Sequence, residues 1–293
     1  MGTVCSLLMR MPNVCAAAGA DHGASSGPVH GLWVWKSPTV LDAPRGAEAL
    51  RDFCRSQGIN EVYVSYSANS SPTEETALAH LIGLLHGAEI RAEALLSSTD
   101  ADEPGKHREK LLDKVREVER FNQTHPGNRF DGIHLDVEPQ QRPENKGAGN
   151  LQFLPGLVDA FRAVRALAEP AGLTVNADIQ NKLLKGDARQ RKMLLSAVPR
   201  VTLMMYELAS PDDGKSVDKK AADVERNSKK YFDMAYDGLS GGNLAKMAIA
   251  LRTPDYGALL PQMLQKLDAN NAVNPHYLGW ARHSYNDSLK TGN

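Results

Sequence analysis

The ten residues Phe130-Asp131-Gly132-Ile133-His134-Leu135-Asp136-Val137-Glu138-Pro139 combine the pattern of a buried β-strand with three ionisable side chains. Strict alternation gives this strand two faces, with Ile133, Leu135 and Val137 on one and His134, Asp136 and Glu138 on the other. The apolar face suits packing against helices, so the ionisable face should point to the opposite side of the sheet. Burying ionisable groups there costs free energy unless they are paired with other polar groups, so their presence suggests a functional role. We therefore expect a functional site at the C-terminal end of this strand.

Seven further short runs of β-branched, aromatic or apolar residues alternate with segments of helical periodicity. With the strand at 132–137, they give predicted strands at 32–36, 61–66, 90–96, 173–178, 201–206, 247–251 and 277–280. Strands separated by helix-length segments run parallel and are joined by right-handed crossovers. One intervening helix is predicted to open at Ser71-Pro72-Thr73-Glu74, which carries the pattern of a capping box.

Two architectures fit this alternation, a closed barrel and an open doubly wound sheet. The open sheet usually has a glycine-rich turn after its first strand, whereas here the first predicted strand runs into Ser37-Pro38-Thr39, and no GxGxxG or GxxxxGK[ST] motif occurs. The chain has 293 residues, and a barrel typically needs about 250. The sequence therefore predicts an α/β fold, a single (β/α)8 TIM barrel over residues 30–293.

Residues 1–29 show no apolar period of 2 or 3.6 and are predicted to form a disordered or processed N-terminal tail. Ser6-Leu7-Leu8-Met9 and Ala16-Ala17-Ala18 weakly resemble a secretory leader, although Arg10 and Pro12 interrupt its apolar core. The sequence therefore leaves the compartment open, with secretion or a periplasmic location as one option.

Composition excludes several classes of function. Lys and Arg number 34 against 35 Asp and Glu, so the chain lacks the basic excess that a nucleic-acid partner requires. No run of about 20 apolar residues predicts a membrane span. The three cysteines are too few and too scattered for a disulfide framework or a zinc site, and Cys54 lies in an apolar stripe typical of a buried thiol. We predict neither a cofactor nor a metal, and the oligomeric state is not indicated.

The spacing of Asp136 and Glu138 suggests acid–base chemistry. Residues two apart on a strand have Cα atoms about 6–7 Å apart and share a face. Two carboxyl groups that close resist double ionisation, so one of them is held protonated near neutral pH. A protonated carboxyl group can donate a proton to a leaving group. The alternative is a carboxylate pair that only satisfies buried donors.

Three motifs resemble glycoside hydrolase family 18, the chitinases and their relatives. The stretch Asp131-Gly132-Ile133-His134-Leu135-Asp136-Val137-Glu138 resembles the fourth-strand signature D-G-x-D-x-D-x-E of that family, and departs from it at His134. The stretch Met204-Met205-Tyr206-Glu207 resembles the sixth-strand ending M-x-Y-D or M-x-Y-N, with Glu207 as the variant residue. The last predicted strand, Tyr277-Leu278-Gly279-Trp280, resembles the strand that supplies a tryptophan floor to the sugar site.

The resemblance implies substrate-assisted hydrolysis of a glycan that contains an N-acetylated amino sugar. It implies that Glu138 protonates the leaving oxygen and then acts as a base, and that Asp136 orients the acetamido group. It implies that Tyr206 donates its hydroxyl proton to the acetamido carbonyl. His134 takes the place of the deepest aspartate of the signature, so we expect it to hydrogen-bond Asp136; the alternative is a structural histidine that is hydrogen-bonded elsewhere in the core.

Further residues are candidates for the cleft. Trp33 and Trp35 share a face of the first strand, and Trp35, nearer its C-terminal end, is expected to stack on a sugar or pack in the core. Asp178 and Arg252 fall at predicted strand ends, where they either line the cleft or form a rim ion pair. Glu93 is expected to pair with an inward Arg or Lys, and Met204 is expected in the core. The predicted substrate-binding set is Trp280, Trp35, Glu207, Asp178, Arg252 and His134.

Three functions compete at this stage. The first is a glycosidase that acts on an N-acetylated amino sugar. The second is a carbohydrate-binding barrel without turnover, which the departures at His134 and Glu207 favour and an intact Glu138 opposes. The third is a metal-dependent barrel enzyme that binds Mg²⁺ through Asp136, Glu138 and Asp178, with Glu207 as a further ligand. No motif in the sequence indicates which sugar is bound, which linkage is cleaved, or whether the action is exo or endo.

Overall fold

A computed structural model describes residues 27–67, 71–146, 151–206 and 214–291. Its eight strands are β1 Val29–Val34, β2 Glu61–Ser65, β3 Arg91–Ser98, β4 Gly132–Val137, β5 Thr174–Gln180, β6 Arg200–Met204, β7 Lys246–Arg252 and β8 Tyr277–His283. Its α-helices are α1 Ser37–Leu41, α2 Gly46–Ser56, α3 Pro72–His86, α4 Lys106–Thr124, α5 Leu154–Ala168, α6 Ala188–Leu195, α7 Val217–Tyr236, α8 Thr253–Tyr256, α9 Leu260–Asn271 and α10 Tyr285–Thr291.

The strands form one closed parallel barrel in the order β1 to β8, with β8 paired to β1. Each strand pairs with its neighbours in sequence because a helical crossover returns the chain to the same end of the sheet. The predicted (β/α)8 barrel is therefore confirmed, and the open doubly wound sheet is excluded.

Two separate cores stabilise the barrel. The larger core lies between the strands and the surrounding helices, and contains Ile133, Leu135 and Val137 from β4. The buried thiol of Cys54 belongs to it, and burial raises the pKa of this thiol to about 12. The smaller apolar cluster comprises Trp33, Tyr63, Leu95, Ala250 and Ala281, with Trp35 and Tyr206 packed against it. Because these residues alternate with members of the outer core, they line the interior of the barrel.

A close backbone contact accompanies closure of the barrel between β8 and β1. Gly279 pairs with Val29 and has a φ of 143°, a conformation that L-residues with a side chain rarely adopt. A Cβ atom at this position would lie 1.9 Å from the Val29 carbonyl oxygen. The register between β7 and β8 shifts between Met247 and Ala248. Two residues further along β7, Ala250 faces the interior of the barrel. Glycine at position 279 therefore allows the last strand to approach the first.

The helices follow the apolar stripes of the sequence. The α3 helix begins after Ser71, whose hydroxyl accepts from the Glu74 amide, while the Glu74 carboxylate accepts from the Ser71 amide. The predicted capping box is thus present. No helix in the described part of the chain is long and apolar enough to cross a membrane.

Two sequence predictions lie outside the described residues. The predicted N-terminal tail falls there up to residue 26, and Glu207 falls there as well. The barrel itself begins at Val29, three residues before the first predicted strand, because His30 and Gly31 already pair with β8.

Candidate active site

The ionisable face of β4 points into the barrel, as its alternation predicts. His134 is fully buried in the middle of the barrel, and Asp136 is 7% exposed one layer nearer the C-terminal end. Glu138 follows the last residue of β4 and precedes a 3-10 turn at Pro139–Gln141. The strand therefore presents its two carboxyl groups at the end of the barrel where active sites of this fold are built.

A cleft of about 400 Å³ opens at this end of the barrel. It is lined by Trp35, Asp136, Glu138, Gln141, Gln180, Met204, Tyr206 and His283. Four of these, Trp35, Asp136, Glu138 and Tyr206, are candidates from the sequence. Met204 was expected in the core and instead lines the cleft, because β6 ends at this residue and leaves its side chain half-buried at the mouth.

Three amide side chains surround the carboxyl group of Glu138. The Gln180 Nε2 donates to Glu138 Oε1 at 2.7 Å, and the Gln140 Nε2 donates to the same oxygen at 3.1 Å. The Gln141 Nε2 donates to Oε2. Burial raises the pKa of Glu138, the nearby charge of Asp178 raises it further, and the amide hydrogen bonds oppose the rise. The side chain is thus both oriented and biased towards its protonated form.

Asp136 is the more strongly perturbed carboxyl group. Burial, the negative charge of Asp178 and that of Glu138 together raise the pKa of Asp136 to about 8. Its Oδ1 is buried and has no hydrogen-bond partner among the described residues. At neutral pH this group is therefore largely a neutral carboxylic acid with an unused oxygen beside the cleft.

His134 does not hydrogen-bond Asp136, so this sequence expectation is wrong. Its Nε2 lies 2.8 Å from Asp178 Oδ1 and its Nδ1 lies 3.3 Å from Glu93 Oε2. The reason is geometric: residues two apart on one strand are about 6–7 Å apart, whereas neighbouring strands are about 4.8 Å apart. The ring also stacks on Tyr63, with centroids 3.6 Å apart. His134 therefore pairs sideways, with β3 and β5.

These two carboxylates keep His134 charged. Burial alone would lower its pKa, but the charges and hydrogen bonds of Asp178 and Glu93 outweigh burial and raise the pKa of His134 to about 10. His134 is accordingly an imidazolium over the whole neutral range. It is fully buried and does not line the cleft.

Charged residues also fill the N-terminal end of the barrel. Glu93 lies 3.9 Å from Arg200 Nη2 and 4.0 Å from Arg91 Nη2, and Arg200 also pairs with Glu61. The predicted pairing of Glu93 with an inward arginine is confirmed. Burial would raise the pKa of Glu93, but Arg200 and His134 hold it well below its usual range. These pairs close the barrel beneath His134.

Trp280 does not form the floor of the cleft, which corrects the sequence prediction. Its ring stacks on His30 at a centroid distance of 4.2 Å, and its Nε1 donates to Asp268 Oδ2 at 3.0 Å on α9. The β8 strand continues three residues beyond Trp280, so alternation places Ala281 and His283 on the inner face and Trp280 in the helical layer. His283 instead lines the cleft and accepts from Trp35 Nε1 at 2.8 Å.

The sequence predicts both Asp178 and Arg252 at strand ends, but the structure places Asp178 in the interior and Arg252 at the rim of the barrel. Asp178 is buried inside the barrel, where it accepts from Trp33 Nε1 at 3.2 Å and pairs with His134, so it is neither a cleft wall nor a rim residue. Arg252 does form a rim ion pair, with Asp255 at 2.6 Å. Its guanidinium lies 5.6 Å from the ring centroid of Tyr206. Burial raises the pKa of Tyr206 well above its usual value, so its hydroxyl keeps its proton.

Sequence reasoning missed Gln180, Gln141 and His283. A signal for Gln180 was available, because the inward alternation Asn176, Asp178, Gln180 continues two residues past the predicted end of the strand. No comparable signal exists for Gln141, whose position depends on the turn after Glu138.

The described residues contain no group of three or more His, Cys, Asp or Glu side chains arranged to hold a metal ion. Asp178, one of the three ligands that the magnesium alternative requires, is committed to His134 and Trp33. The cleft residues can orient a ligand through hydrogen bonds and exchange protons with it.

Comparison with known proteins shows the fold. No family profile and no curated protein matches the sequence. Among solved structures, a chitinase from Bacteroides thetaiotaomicron is 13% identical with a TM-score of 0.55, over 90% of this chain and 93% of that one. A GH18 chitinase from Pseudoalteromonas aurantia is 10% identical with a TM-score of 0.53, over 90% and 96%. The glycoside hydrolase domain of PgaB from Bordetella bronchiseptica is 11% identical with a TM-score of 0.50, over 87% and 93%. The chain therefore has a barrel like those of GH18 chitinases and related glycoside hydrolases.

Proposed function

We propose that this protein is a divergent glycosidase of family 18 type, with Glu138 as its general acid and base. One observation carries the proposal: two adjacent carboxyl groups, Asp136 and Glu138, share a cleft at the C-terminal mouth of the barrel, and both have a raised pKa. A general acid must hold a proton near neutral pH and lie within reach of the leaving group. The similarity to barrels of chitinases and of a glycoside hydrolase domain supports this assignment.

The substrate we propose is a glycan with an N-acetylated amino sugar at the scissile bond. In the first step the 2-acetamido oxygen attacks the anomeric carbon, the glycosidic bond breaks, and the proton of Glu138 passes to the leaving oxygen. The unused oxygen of Asp136 accepts the acetamido N–H, and Tyr206 donates its hydroxyl to the acetamido oxygen. In the second step water attacks the anomeric carbon, the bond between that carbon and the acetamido oxygen breaks, and the Glu138 carboxylate takes a proton from the water. Glu138 thereby regains its proton.

Trp35 and His283 would supply the aromatic wall for the sugar ring. They stand at the C-terminal ends of β1 and β8, and the hydrogen bond between Trp35 Nε1 and His283 Nε2 holds the two rings together. An aromatic face packs well against the C–H groups of a sugar. This wall takes the place that the sequence resemblance assigned to Trp280.

A carbohydrate-binding barrel without turnover is the second candidate. It is favoured by the three amides around Glu138, since amide N–H groups stabilise the charged carboxylate rather than the acid. Both candidates bind a glycan, and they differ only in whether the glycosidic bond is hydrolysed.

The test is hydrolysis of a chito-oligosaccharide and of a chromogenic N-acetylglucosaminide by the wild type and Glu138→Gln. We expect the variant to lose about 10²–10⁴ in turnover, because the amide cannot donate or accept the reacting proton, while its affinity for the oligosaccharide is retained. Glu144→Gln is the matched control: it makes the same change six residues away, at a surface ion pair with Arg142, and should keep wild-type turnover. Wild-type turnover in Glu138→Gln contradicts the role of Glu138. Binding by an inert wild type would establish the second candidate.

A further inference from the structure

A buried ion pair lies directly behind the proposed acid pair. The side chains of His134 and Asp178 are each 1% exposed, and His134 Nε2 lies 2.8 Å from Asp178 Oδ1. Neither residue lines the cleft. The acid–base steps proposed above use neither of them, so their burial needs a separate reason.

The register of the sheet places Asp178 beside Asp136. The β4–β5 pairing aligns His134 with Asn176 and Leu135 with Ala177, and one more step along the same register brings Asp136 opposite Asp178. Both side chains lie on the inner face, on strands about 4.8 Å apart. The hydrogen bonds of the Asp178 carboxylate go to Trp33 and His134, and Asp178 acts on Asp136 through its charge.

Asp178 is held in place on two sides. Trp33 Nε1 donates to its Oδ2 at 3.2 Å, and His134 binds its Oδ1. A group fixed by an indole N–H and an imidazolium is a carboxylate that only accepts, since both partners are donors. The ionisable groups that face it or interact with its charge are Tyr63, His134, Asp136, Glu138, Tyr206 and His283. Among these, His134 alone is a cation at neutral pH, and it lies on the side away from the cleft.

We propose that Asp178 is a positioning residue that, clamped by His134 and Trp33, keeps a proton on Asp136 through its negative charge across the β4–β5 pair. This inference rests on the proposed function for its consequence in catalysis, but the charge coupling itself does not. The charge of Asp178 thus acts on Asp136 in place of the hydrogen bond from His134 that the sequence suggested. The proton on Asp136 leaves when the pH rises, and Asp136 then carries a second negative charge beside Asp178.

The direct test is NMR of the protein labelled with ¹³C in the aspartate carboxyl groups, with the Asp136 signal assigned through Asp136→Asn. We expect Asp136 of the wild type to titrate with a midpoint near pH 8, because burial and the charges of Asp178 and Glu138 oppose its ionisation. In Asp178→Asn, which preserves size and removes the charge, the midpoint should fall by about 1–3 pH units. Thr202→Val is the matched control, since Thr202 is buried opposite Asp178 on β6 and carries no charge. In this variant the titration midpoint of Asp136 should equal that of the wild type.

A merely structural role for Asp178 would change thermal stability and leave the Asp136 midpoint in place, and that result overturns the proposal. If Asp178→Asn does not fold, Asp178→Asn/His134→Gln removes both charges and is expected to lower the midpoint as well, because the effect of Asp178 on Asp136 exceeds that of His134. The wild type provides a further check without mutation: the imidazole signals of His134 should be those of the charged ring at pH 7. A neutral His134 at that pH also overturns the proposal.

The kinetic measurement separates this inference from the proposed function. If the protein hydrolyses a chito-oligosaccharide, the alkaline limb of kcat/KM against pH should move to lower pH in Asp178→Asn, because the charge of Asp178 raises the pKa of the general acid Glu138 as well as that of Asp136. The limb should stay in place in Thr202→Val. If the wild type is inert on glycans, the proposed function fails while the NMR titration still decides the role of Asp178.

Discussion

Position 134 shows how one side chain takes its role from neighbouring strands. Its place in the motif suggests a partner two residues along the chain, Asp136, but the nearer atoms belong to Glu93 and Asp178 on the adjacent strands. A histidine between two carboxylates becomes a buried cation. The deepest position of the motif thus carries a positive charge here, where the family signature has an acid.

Trp35 and Trp280 provide a test of which tryptophan meets the ligand. Trp280→Leu should lower the free energy of unfolding by about 2–4 kcal/mol, because Trp280 is 5% exposed and packs in the helical layer, and should keep the affinity for a chito-oligosaccharide. Trp35→Leu should have the opposite profile, with little change in stability and an affinity about 10-fold or more lower. Denaturant unfolding and calorimetric titration measure the two quantities. Loss of affinity in Trp280→Leu but not in Trp35→Leu would contradict the assignment of the sugar-binding wall to Trp35.

At the scale of single elements, the ends of strands decide which residues enter the cleft. The β5 and β8 strands each extend beyond their predicted limits, by two and three residues. The extensions bring Gln180 and His283 to the mouth of the barrel and leave Trp280 in mid-strand. Helix starts depend on local chemistry instead, and α3 begins where its capping box predicts.

The cap of α3 gives a prediction about one element. Ser71→Ala removes the hydroxyl that accepts from the Glu74 amide, leaving a helical N–H without its partner, and should lower the free energy of unfolding by about 0.5–2 kcal/mol. Ser56→Ala is the control, because that hydroxyl donates to the Phe53 carbonyl at the end of α2 and caps no amide; its effect should be smaller. Urea unfolding of both variants measures the difference. Equal effects would contradict the importance of the cap.

At the scale of the whole molecule, the barrel interior changes in character from one end to the other. Ion pairs of Glu61 and Glu93 with Arg91 and Arg200 fill the N-terminal end. An aromatic layer with His134 lies above them, and the cleft opens beyond it. The charged interior couples the stability of the fold to pH, because several of its groups hold protons that the unfolded chain would release.

We expect the free energy of unfolding to fall as pH rises from 7 to 10. His134 has a folded pKa of about 10 against an ordinary value of 6.5, so its stabilisation is complete below pH 6.5 and disappears as pH rises through 10. Asp136 has a folded pKa of about 8 against 3.8, so its contribution is complete below pH 3.8 and disappears as pH rises through 8. Each group contributes a slope of at most about 1.4 kcal/mol per pH unit.

Urea unfolding between pH 7 and pH 10 measures this dependence. His134→Gln should flatten the slope between pH 8 and pH 10, whereas the exposed His80 on α3 can be changed to Gln without altering it. A wild-type stability that stays constant over this range would show that His134 and Asp136 titrate as they do in water.

The sequence by itself determined the alternation of strands and helices, the capping box of α3 and the inward face of β4. These features depend on the periodicity of apolar side chains and on contacts between residues at most four positions apart, and both can be read directly from the sequence. It also assigned Asp136, Glu138 and Tyr206 to one site, and left open whether Trp35 joins them or packs in the core. Tertiary structure alone decided that His134 pairs with Asp178, that Trp280 faces the helices and that His283 and Gln180 complete the cleft. Those outcomes depend on the register between strands and on where each strand ends, and both are set by packing between residues more than 40 positions apart.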